Sequence, residues 1–347
     1  MTSLIIHTGG GKCGSSAIQK SLQHLSKSSG NDSSIHYGQI SDHTRLLSLI
    51  NPKKYLKLRG KKPIATAEQS AYQYLNTLKE NSNAKYVVVS SEYFASQTNE
   101  TLNKLISILS DCINFSRVKV IQYVRSPESL YLSKSQQRIK ADTVIVPFYN
   151  FSCDYSKLSR LKKLNCDEMI VREFSRSSLI GGDVIKDFFA AAFEGKISID
   201  QDDLMKSTIA NESLSAESLN ALQIHNHRRT SSGLTVRMSR HSRRVIHLLR
   251  RFDSNHLQSI NKAALQPFIS TYLILSHMPA LQKAFEEFGL FSDLVKQYNC
   301  NDSPVTAKKS EYLFNSRGSS FQDIRSILLK WDDQLVEQAI ELLASID

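Results

Sequence analysis

Two patterns of apolar residues alternate along the first 200 positions of the chain. Short apolar runs at 4–7, 86–90, 118–124 and 169–172 predict buried strands. The segments between them carry apolar residues at helical spacing, as Ile18, Leu22 and Leu25 do. Strands joined through helices pair in parallel, so we expect an α/β fold of three layers, with a mostly parallel central sheet flanked by helices. Helices are predicted at 15–26, 66–81, 102–109, 127–139 and 183–193.

Helical spacing without strand signals continues from about residue 213 to the C-terminus. The segment 27–63, rich in Ser, Asn, Asp, Lys and Gly, predicts irregular surface structure with one helix near 44–50. Thr66 and Gln69 have capping-box spacing and predict the start of a helix. We therefore expect one domain, 1–347, with residues 1–200 as the α/β core and 201–347 as a mainly helical extension.

Composition places the chain among globular proteins that attract anions. Hydrophobic residues make up 41% and charged residues 22%, while the net charge of +11 favours polyanionic partners. The five cysteines are scattered without a CxxC pair, which suggests neither a disulfide framework nor a zinc site. The N-terminus lacks the pattern of a signal peptide, and no apolar stretch has the length of a membrane span. These features predict a cytoplasmic protein, soluble or peripheral to a membrane.

A glycine-rich loop lies between the first predicted strand and the first predicted helix. It contains Gly11, Lys12, Cys13 and Gly14, and Ser15 and Ser16 follow at the start of the helix. Glycines let the backbone approach an oxyanion, the amides of a helix N-terminus point at it, and the lysine adds a positive charge. The loop therefore predicts a phosphate site, the alternative being a tight turn with a solvated lysine.

The loop differs from the P-loop of NTPases in two positions. That pattern needs a glycine where this chain has Ile6, and a Ser or Thr directly after the lysine, where it has Cys13. The hydroxyl that would bind Mg²⁺ is thus missing. We therefore expect no metal, and a kinase or ATPase is the less favoured reading.

A second candidate phosphate site comprises Arg125 and Ser133. Arg125 ends a predicted buried strand, and Ser133 lies eight residues later in the next helix. Ligands of open α/β sheets collect outside the carboxyl ends of the strands, where an arginine and a hydroxyl suit a phosphate. Taken alone, an arginine at a strand end more often serves in a structural ion pair, but beside the first loop the phosphate role is favoured.

Together the two motifs resemble the sulfotransferase family that uses 3′-phosphoadenosine 5′-phosphosulfate (PAPS), and in particular its bacterial, carbohydrate-directed branch. The resemblance covers roughly residues 4–140 and includes His7, Gln19 and the string Val89-Ser-Ser-Glu92. It implies a P-loop-like fold in which the Lys12 loop holds the 5′-phosphosulfate and Arg125 with Ser133 holds the 3′-phosphate. Cys13 departs from the family, which usually has threonine there.

The resemblance also implies roles in sulfonate transfer to a hydroxyl of a carbohydrate or glycolipid acceptor. Lys12 would neutralise charge on the departing phosphate, and a general base would take the proton of the attacking hydroxyl. Glu92 is the favoured base because it follows a strand that ends at the same edge of the sheet. His7 is the second candidate, unless it braces the loop.

A basic segment lies outside these motifs. No acidic residue occurs between Glu217 and Asp253, and Val245, Leu248, Leu249 and Phe252 have helical spacing. An anionic glycan, the nucleotide's 3′-phosphate and an acidic membrane surface are all possible partners, whereas the lack of interleaved aromatic residues argues against specific nucleic-acid binding. A non-catalytic protein that binds nucleotides or polyanions is the alternative to an enzyme. Eight arginines fall in this segment: Arg228, Arg229, Arg237, Arg240, Arg243, Arg244, Arg250 and Arg251.

Overall fold

Five parallel strands form the central sheet, in the order β2-β3-β1-β4-β5. β1 lies in the middle, where Ile6 pairs in register with Val89 of β3 and Val120 of β4. The computed structural model describes residues 1–28, 34–38, 43–59, 64–80, 83–197, 213–298 and 323–344. The strands are β1 (Thr2–His7), β2 (Ile35–His36), β3 (Tyr86–Ser90), β4 (Phe115–Val124) and β5 (Glu168–Glu173).

Helices follow the strands along the chain, as the alternation of patterns predicts. The predicted α/β fold with a parallel sheet flanked by helices is thus confirmed. In the α/β part the helices are Ser15–Ser28, Leu47–Ile50, Pro52–Arg59, Ile64–Glu80, Asn99–Ser110, Ser156–Leu161 and Val184–Phe193. The remaining helices are Pro127–Ile139, Ala216–Ser231, Arg240–Asn255, Pro267–Ser276, Met278–Phe288, Ser292–Tyr298 and Asp333–Ala344.

Two expectations for the N-terminal third differ from the structure. Thr66 lies inside the helix Ile64–Glu80 and does not cap it, because the helix begins two residues earlier. The segment 27–63 contributes β2 to the edge of the sheet, where Ile35 pairs with Tyr86. Two residues are too few to show the alternation by which a strand is recognised in a sequence.

The alternating side chains of the strands supply the core of the α/β part. Ile5, Val88 and Ile121 pack in one cluster with Ile18 and Leu22 of the first helix, and with apolar residues of the helix Val184–Phe193. Successive strand residues point to opposite faces. Leu4, Ile6, Val87 and Val89 therefore face the other side of the sheet, and all four are buried.

The described residues group into two compact units. The α/β unit comprises Met1–Arg125, Tyr155–Asn211 and Glu286–Leu290, and the helical unit comprises Ser126–Asp154, Glu212–Phe285 and Phe291–Asp347. The sequence predicts a division of the chain near residue 200. In the structure the helix Pro127–Ile139, which precedes that position, also groups with the helical unit. Tyr131 and Ile139 of that helix pack in one apolar cluster with Leu219.

The arginine-rich helix Arg240–Asn255 belongs to the helical unit. It buries Val245, Leu249 and Phe252 and leaves Leu248 partly exposed, which confirms the amphipathic pattern for three of the four predicted positions. Arg243 and Arg244 are exposed on its other face. None of the helices in the described ranges is long and apolar enough to cross a membrane.

Candidate functional site

The loop between β1 and the helix Ser15–Ser28 is tightly bent. Gly9, Lys12 and Gly14 have φ angles of 54°, 67° and 76°, in the left-handed region that favours glycine. A Cβ on Gly9 would lie 2.9 Å from Glu92 Cα, and one on Gly10 would lie 2.1 Å from the carbonyl oxygen of Tyr123. The two glycines therefore allow the loop to lie directly against the ends of β3 and β4.

Unsatisfied polar groups face this loop from the start of the helix. Ala17 and Ile18 donate their amide protons to the carbonyl oxygen of Gly14, whereas the amides of Ser15 and Ser16 lie in the first turn, where no intrahelical acceptor exists. Ser15 is 7% exposed, and its Oγ has no hydrogen-bond partner among the described residues. A Cβ on Gly9 would lie 2.7 Å from this Oγ. The hydroxyl and the amides together form a cradle suited to an anion.

Lys12, Glu92 and Arg125 lie close enough to interact electrostatically. Partial burial lowers the pKa of the Lys12 ammonium, the negative charge of Glu92 raises it, and the positive charge of Arg125 lowers it. Burial also lowers the pKa of Arg125. Two partly desolvated cations beside an exposed carboxylate favour binding of a multiply charged anion.

Cys13 and Phe174 hold Arg125 at the rim of the site. The guanidinium group forms a hydrogen bond with the Cys13 side chain and lies over the ring of Phe174. Cys13 is 2% exposed, and burial raises the pKa of its thiol to about 12. The thiol therefore stays protonated at neutral pH. It supports the arginine and cannot act as a nucleophile.

A buried hydrogen-bond network lies below the loop. Ser90 Oγ is 2.8 Å from His7 Nδ1 and accepts a hydrogen bond of 3.1 Å from Gln19 Nε2. His43 Nδ1 accepts a hydrogen bond of 3.1 Å from the Ser90 amide. His7 is completely buried, and burial lowers its pKa to about 3, so its imidazole is neutral. These contacts tie the loop to the end of β3.

The residues predicted for the site are divided between the two units of the structure. Cys13, Gly14 and Ser15 gather with Lys12, Glu92 and Arg125 in the α/β unit. Gly11 is exposed, with open space where its Cβ would be, and Ser16 is exposed too. Ser133 lies in the helix Pro127–Ile139 of the helical unit and is partly exposed there.

The sequence motifs do not indicate Phe174 as part of the site. This residue follows β5 directly, and besides Arg125 it approaches Gly14, where a Cβ would lie 2.9 Å from its Cε2. Its position close to the end of a predicted strand could have indicated a residue of the site, because ligands bind at the carboxyl ends of the strands. Its contact with Arg125 depends on the pairing of β4 with β5, which no local pattern predicts.

The assembled site lies at the carboxyl ends of four adjacent strands. Glu92 follows β3, the glycine loop follows β1, Arg125 follows β4, and Phe174 follows β5. This is the edge at which open α/β sheets bind ligands. No protein-family model and no curated protein matches the chain. The function of the site is therefore inferred from its geometry.

Proposed function

We propose that the protein is a metal-independent sulfotransferase, which moves a sulfonate group from PAPS to a hydroxyl of a carbohydrate or glycolipid acceptor. The observation that carries the proposal is the placement of Lys12, Glu92 and Arg125 around a cradle of loop amides and the unpartnered Ser15 hydroxyl. This set offers two cations for a nucleotide with two phosphate positions and one carboxylate for proton transfer. It matches the roles that the sequence motifs predict.

The cradle supports binding of the 5′-phosphosulfate. The amides of Gly14, Ser15 and Ser16 and the Ser15 hydroxyl would donate hydrogen bonds to phosphate oxygens. Lys12 is partly buried, so its charge acts through less water than a surface lysine would. The missing hydroxyl at Cys13 removes one side-chain donor, and the Ser15 hydroxyl can supply another.

The proposed reaction depends on the positioning of the reactants and the stabilisation of charge more than on covalent catalysis. The oxygen of the acceptor hydroxyl attacks sulfur, the bond between sulfur and the bridging phosphate oxygen breaks, and the nucleotide leaves as 3′-phosphoadenosine 5′-phosphate. Negative charge grows on the bridging oxygen, which Lys12 would stabilise. The hydroxyl proton would pass to Glu92.

Glu92 fits the role of base better than His7 does. Its side chain is exposed beside the loop, so an acceptor hydroxyl can approach it. His7 is fully buried and linked to Ser90, which gives it no access to an acceptor. We therefore assign proton transfer to Glu92, and to His7 the bracing of the loop.

Arg125 would bind the 3′-phosphate. Its contacts with Cys13 and Phe174 restrict the orientation of its guanidinium, which lowers the entropy cost of forming paired hydrogen bonds to phosphate. The role of Ser133 as a second 3′-phosphate ligand depends on the sequence motif alone. The same holds for the acceptor class, for a cytoplasmic location and for peripheral contact with an acidic membrane.

Two other functions are possible. A protein that binds nucleotides or polyanions without turnover would use the same cations, and Glu92 would then be dispensable. A kinase with a P-loop-like site is less favoured, because Cys13 occupies the position of the Mg²⁺-binding hydroxyl and its buried thiol interacts with a cation, Arg125.

Glu92→Gln distinguishes the enzyme from the binding protein. The purified chain is incubated with PAPS and a panel of oligosaccharides and glycolipids, and mass spectrometry detects the sulfonated product. Glu92→Gln should keep nucleotide affinity and lose transfer by about 10²-fold or more, the usual loss when a general base is removed. Glu100→Gln changes another exposed glutamate and should transfer like the wild type. Equal turnover by Glu92→Gln and the wild type would exclude the assigned role.

A further inference from the structure

A stripe of basic side chains runs along the solvent face of the helix Arg240–Asn255. The opposite face packs into the core of the helical unit through Val245, Leu249 and Phe252. The basic positions recur at intervals of three and four residues, which places them on one side of the helix. At a rise of about 1.5 Å per residue, the stripe is about 16 Å long. This basic stripe consists of Arg240, Arg243, Arg244, His247 and Arg251.

The charge of the basic stripe is not balanced by ion pairs. The first acidic residue of the same helix is Asp253, which is buried. The helix Asp333–Ala344 packs against this helix and exposes Glu337 and Glu341. Within the described ranges, however, no ion pair involves a side chain of the stripe. Its four arginines therefore create a positive potential at the surface of the helical unit.

Two apolar side chains are exposed in the connection that precedes the helix Arg240–Asn255. Leu234 is 48% exposed and Met238 is 42% exposed. They occupy the second position after one helix C-cap and the position before the next N-cap, where an apolar residue usually contacts the adjoining helical turn. The partner positions in those turns hold Arg229 and Arg243. Neither apolar side chain therefore gains the contact that would bury it.

Hydrogen bonds fix the backbone at both ends of this connection. The Leu234 amide donates to the carbonyl oxygen of Arg229 over 2.9 Å, and Gly233 has the positive φ, 77°, that this kind of helix end requires. At the other end, Ser239 Oγ accepts a hydrogen bond of 3.2 Å from the Ser242 amide. The helix ends thus hold the exposed leucine and methionine at the surface.

The exposed apolar residues indicate which anionic partner fits this surface. A soluble polyanion, such as an acidic glycan or a nucleic acid, would contact the arginines and leave both apolar side chains in water. An anionic lipid surface accommodates both kinds of side chain, because arginines lie at the headgroups while apolar side chains enter the interface. The combination favours a membrane.

We propose that the basic stripe and the connection before it bind a membrane surface that contains anionic lipids, with Leu234 and Met238 inserted among the headgroups. The inference specifies a surface for the peripheral membrane contact proposed above, and it does not depend on sulfonate transfer. All of its residues lie in the helical unit.

Co-sedimentation of the full chain with lipid vesicles, without nucleotide, tests this surface. We expect binding to vesicles of phosphatidylserine mixed with phosphatidylcholine, and little binding to phosphatidylcholine alone. Arg243→Gln combined with Arg244→Gln should raise the Kd for the mixed vesicles about 25-fold, because each arginine near an anionic surface contributes about fivefold. Lys53→Gln combined with Lys57→Gln removes the same charge from the exposed face of the helix Pro52–Arg59 and should bind like the wild type.

Leu234→Ser combined with Met238→Ser tests the insertion. This variant keeps every arginine and should bind the mixed vesicles about tenfold more weakly, because two apolar side chains lose their contact with lipid. Its matched control is Leu257→Ser combined with Leu329→Ser, which changes leucines that are 70% and 49% exposed elsewhere in the helical unit. The control should bind like the wild type.

Three results would overturn the proposal. Equal binding to vesicles with and without phosphatidylserine would exclude recognition of anionic lipid. Equal losses in the arginine and lysine variants would indicate diffuse charge. Unchanged affinity of the variant with serine at positions 234 and 238 would contradict insertion and indicate a surface for a soluble polyanion. Because the assay measures neither nucleotide binding nor transfer, its outcome is separate from that of the proposed function.

Discussion

The guanidinium carbon of Arg125 lies 4.3 Å from the centroid of the Phe174 ring. The ring limits the rotation of the side chain and lies at the end of β5, whereas Arg125 follows β4. A stacked arginine presents its remaining donors in a fixed plane, which suits two oxygens of one phosphate. In the proposed function, this contact between two strand ends would orient Arg125 towards the 3′-phosphate.

Phe174→Leu should weaken binding of nucleotides that carry a 3′-phosphate. The substitution keeps an apolar side chain near Gly14 and removes the cation–π contact, which is worth about 1 kcal/mol. The Kd of 3′-phosphoadenosine 5′-phosphate should therefore rise about fivefold in calorimetric titration. The Kd of ADP, which lacks the 3′-phosphate, should stay the same. An equal rise in the Kd of both nucleotides would mean that Phe174 acts on the conformation of the glycine loop. It would contradict the proposed effect on Arg125.

Lys12 should favour nucleotide binding through its ammonium group but lower the stability of the fold through its backbone conformation. Its left-handed conformation costs a residue other than glycine about 1–2 kcal/mol. Lys12→Gly and Lys12→Ala both remove the ammonium and should both weaken nucleotide binding. Lys12→Gly should nevertheless be more stable than Lys12→Ala, by about 1 kcal/mol.

Urea unfolding followed by circular dichroism measures this difference. Tryptophan fluorescence is less suitable, because the single tryptophan, Trp331, lies in the helical unit. If the two variants had equal free energies of unfolding, Lys12 would not be strained in the free protein.

His7 should make stability depend on pH. Its pKa in the folded protein is about 3, below the ordinary value of about 6.5, so the unfolded chain binds the extra proton first as the pH falls. The contribution of His7 is complete above pH ~6.5 and is lost as the pH falls towards 3, by about 1.4 kcal/mol per pH unit.

His7→Asn should remove this dependence. Urea titrations at several pH values between 4 and 7 give the slope of the unfolding free energy against pH, which should be smaller in the variant. An unchanged slope would contradict a buried, neutral His7. Asparagine can still contact Ser90, so the variant retains a polar partner for that hydroxyl.

Asp187 should be critical for the stability of the α/β unit. It is fully buried, accepts a hydrogen bond of 2.6 Å from the Tyr123 hydroxyl, and forms an ion pair of 2.7 Å with Arg172 Nε. Removing one partner of a fully buried ion pair costs about 3–5 kcal/mol, and Arg172 keeps 33% of its side chain exposed, so Asp187→Ala should destabilise the unit by about 3 kcal/mol. Tyr123→Phe removes only one hydrogen bond and should cost about 1 kcal/mol. Similar losses in both variants, in urea unfolding, would mean that the ion pair adds nothing.

Local patterns in the sequence predict much of the fold and the centre of the site. β1, the glycine loop and the first helix are adjacent in the chain, so spacing alone identifies them. β3 is predicted with its observed bounds, because Tyr86–Ser90 is a continuous apolar run buried on both faces. Glu92 and Arg125 are indicated because each lies within two residues of the end of a recognisable strand.

The remaining features depend on contacts between distant parts of the chain. His43 supports Ser90 from 47 positions away, and Phe174 reaches Arg125 only through strand pairing. β2 has two residues and owes its strand geometry to its neighbour β3. The grouping of the helix Pro127–Ile139 with the helical unit likewise depends on an apolar cluster formed by residues far apart in the chain.

The most direct test of the proposed site is calorimetric titration with 3′-phosphoadenosine 5′-phosphate and with ADP, both in the presence of a metal chelator. A second phosphate held by Arg125 adds about 1.5–3 kcal/mol, so the bisphosphate should bind about 10–100-fold tighter than ADP. Arg125→Gln should abolish that difference, and Lys12→Ala should weaken both nucleotides. Equal affinity of the wild type for the two nucleotides, or binding that requires Mg²⁺, would contradict the account.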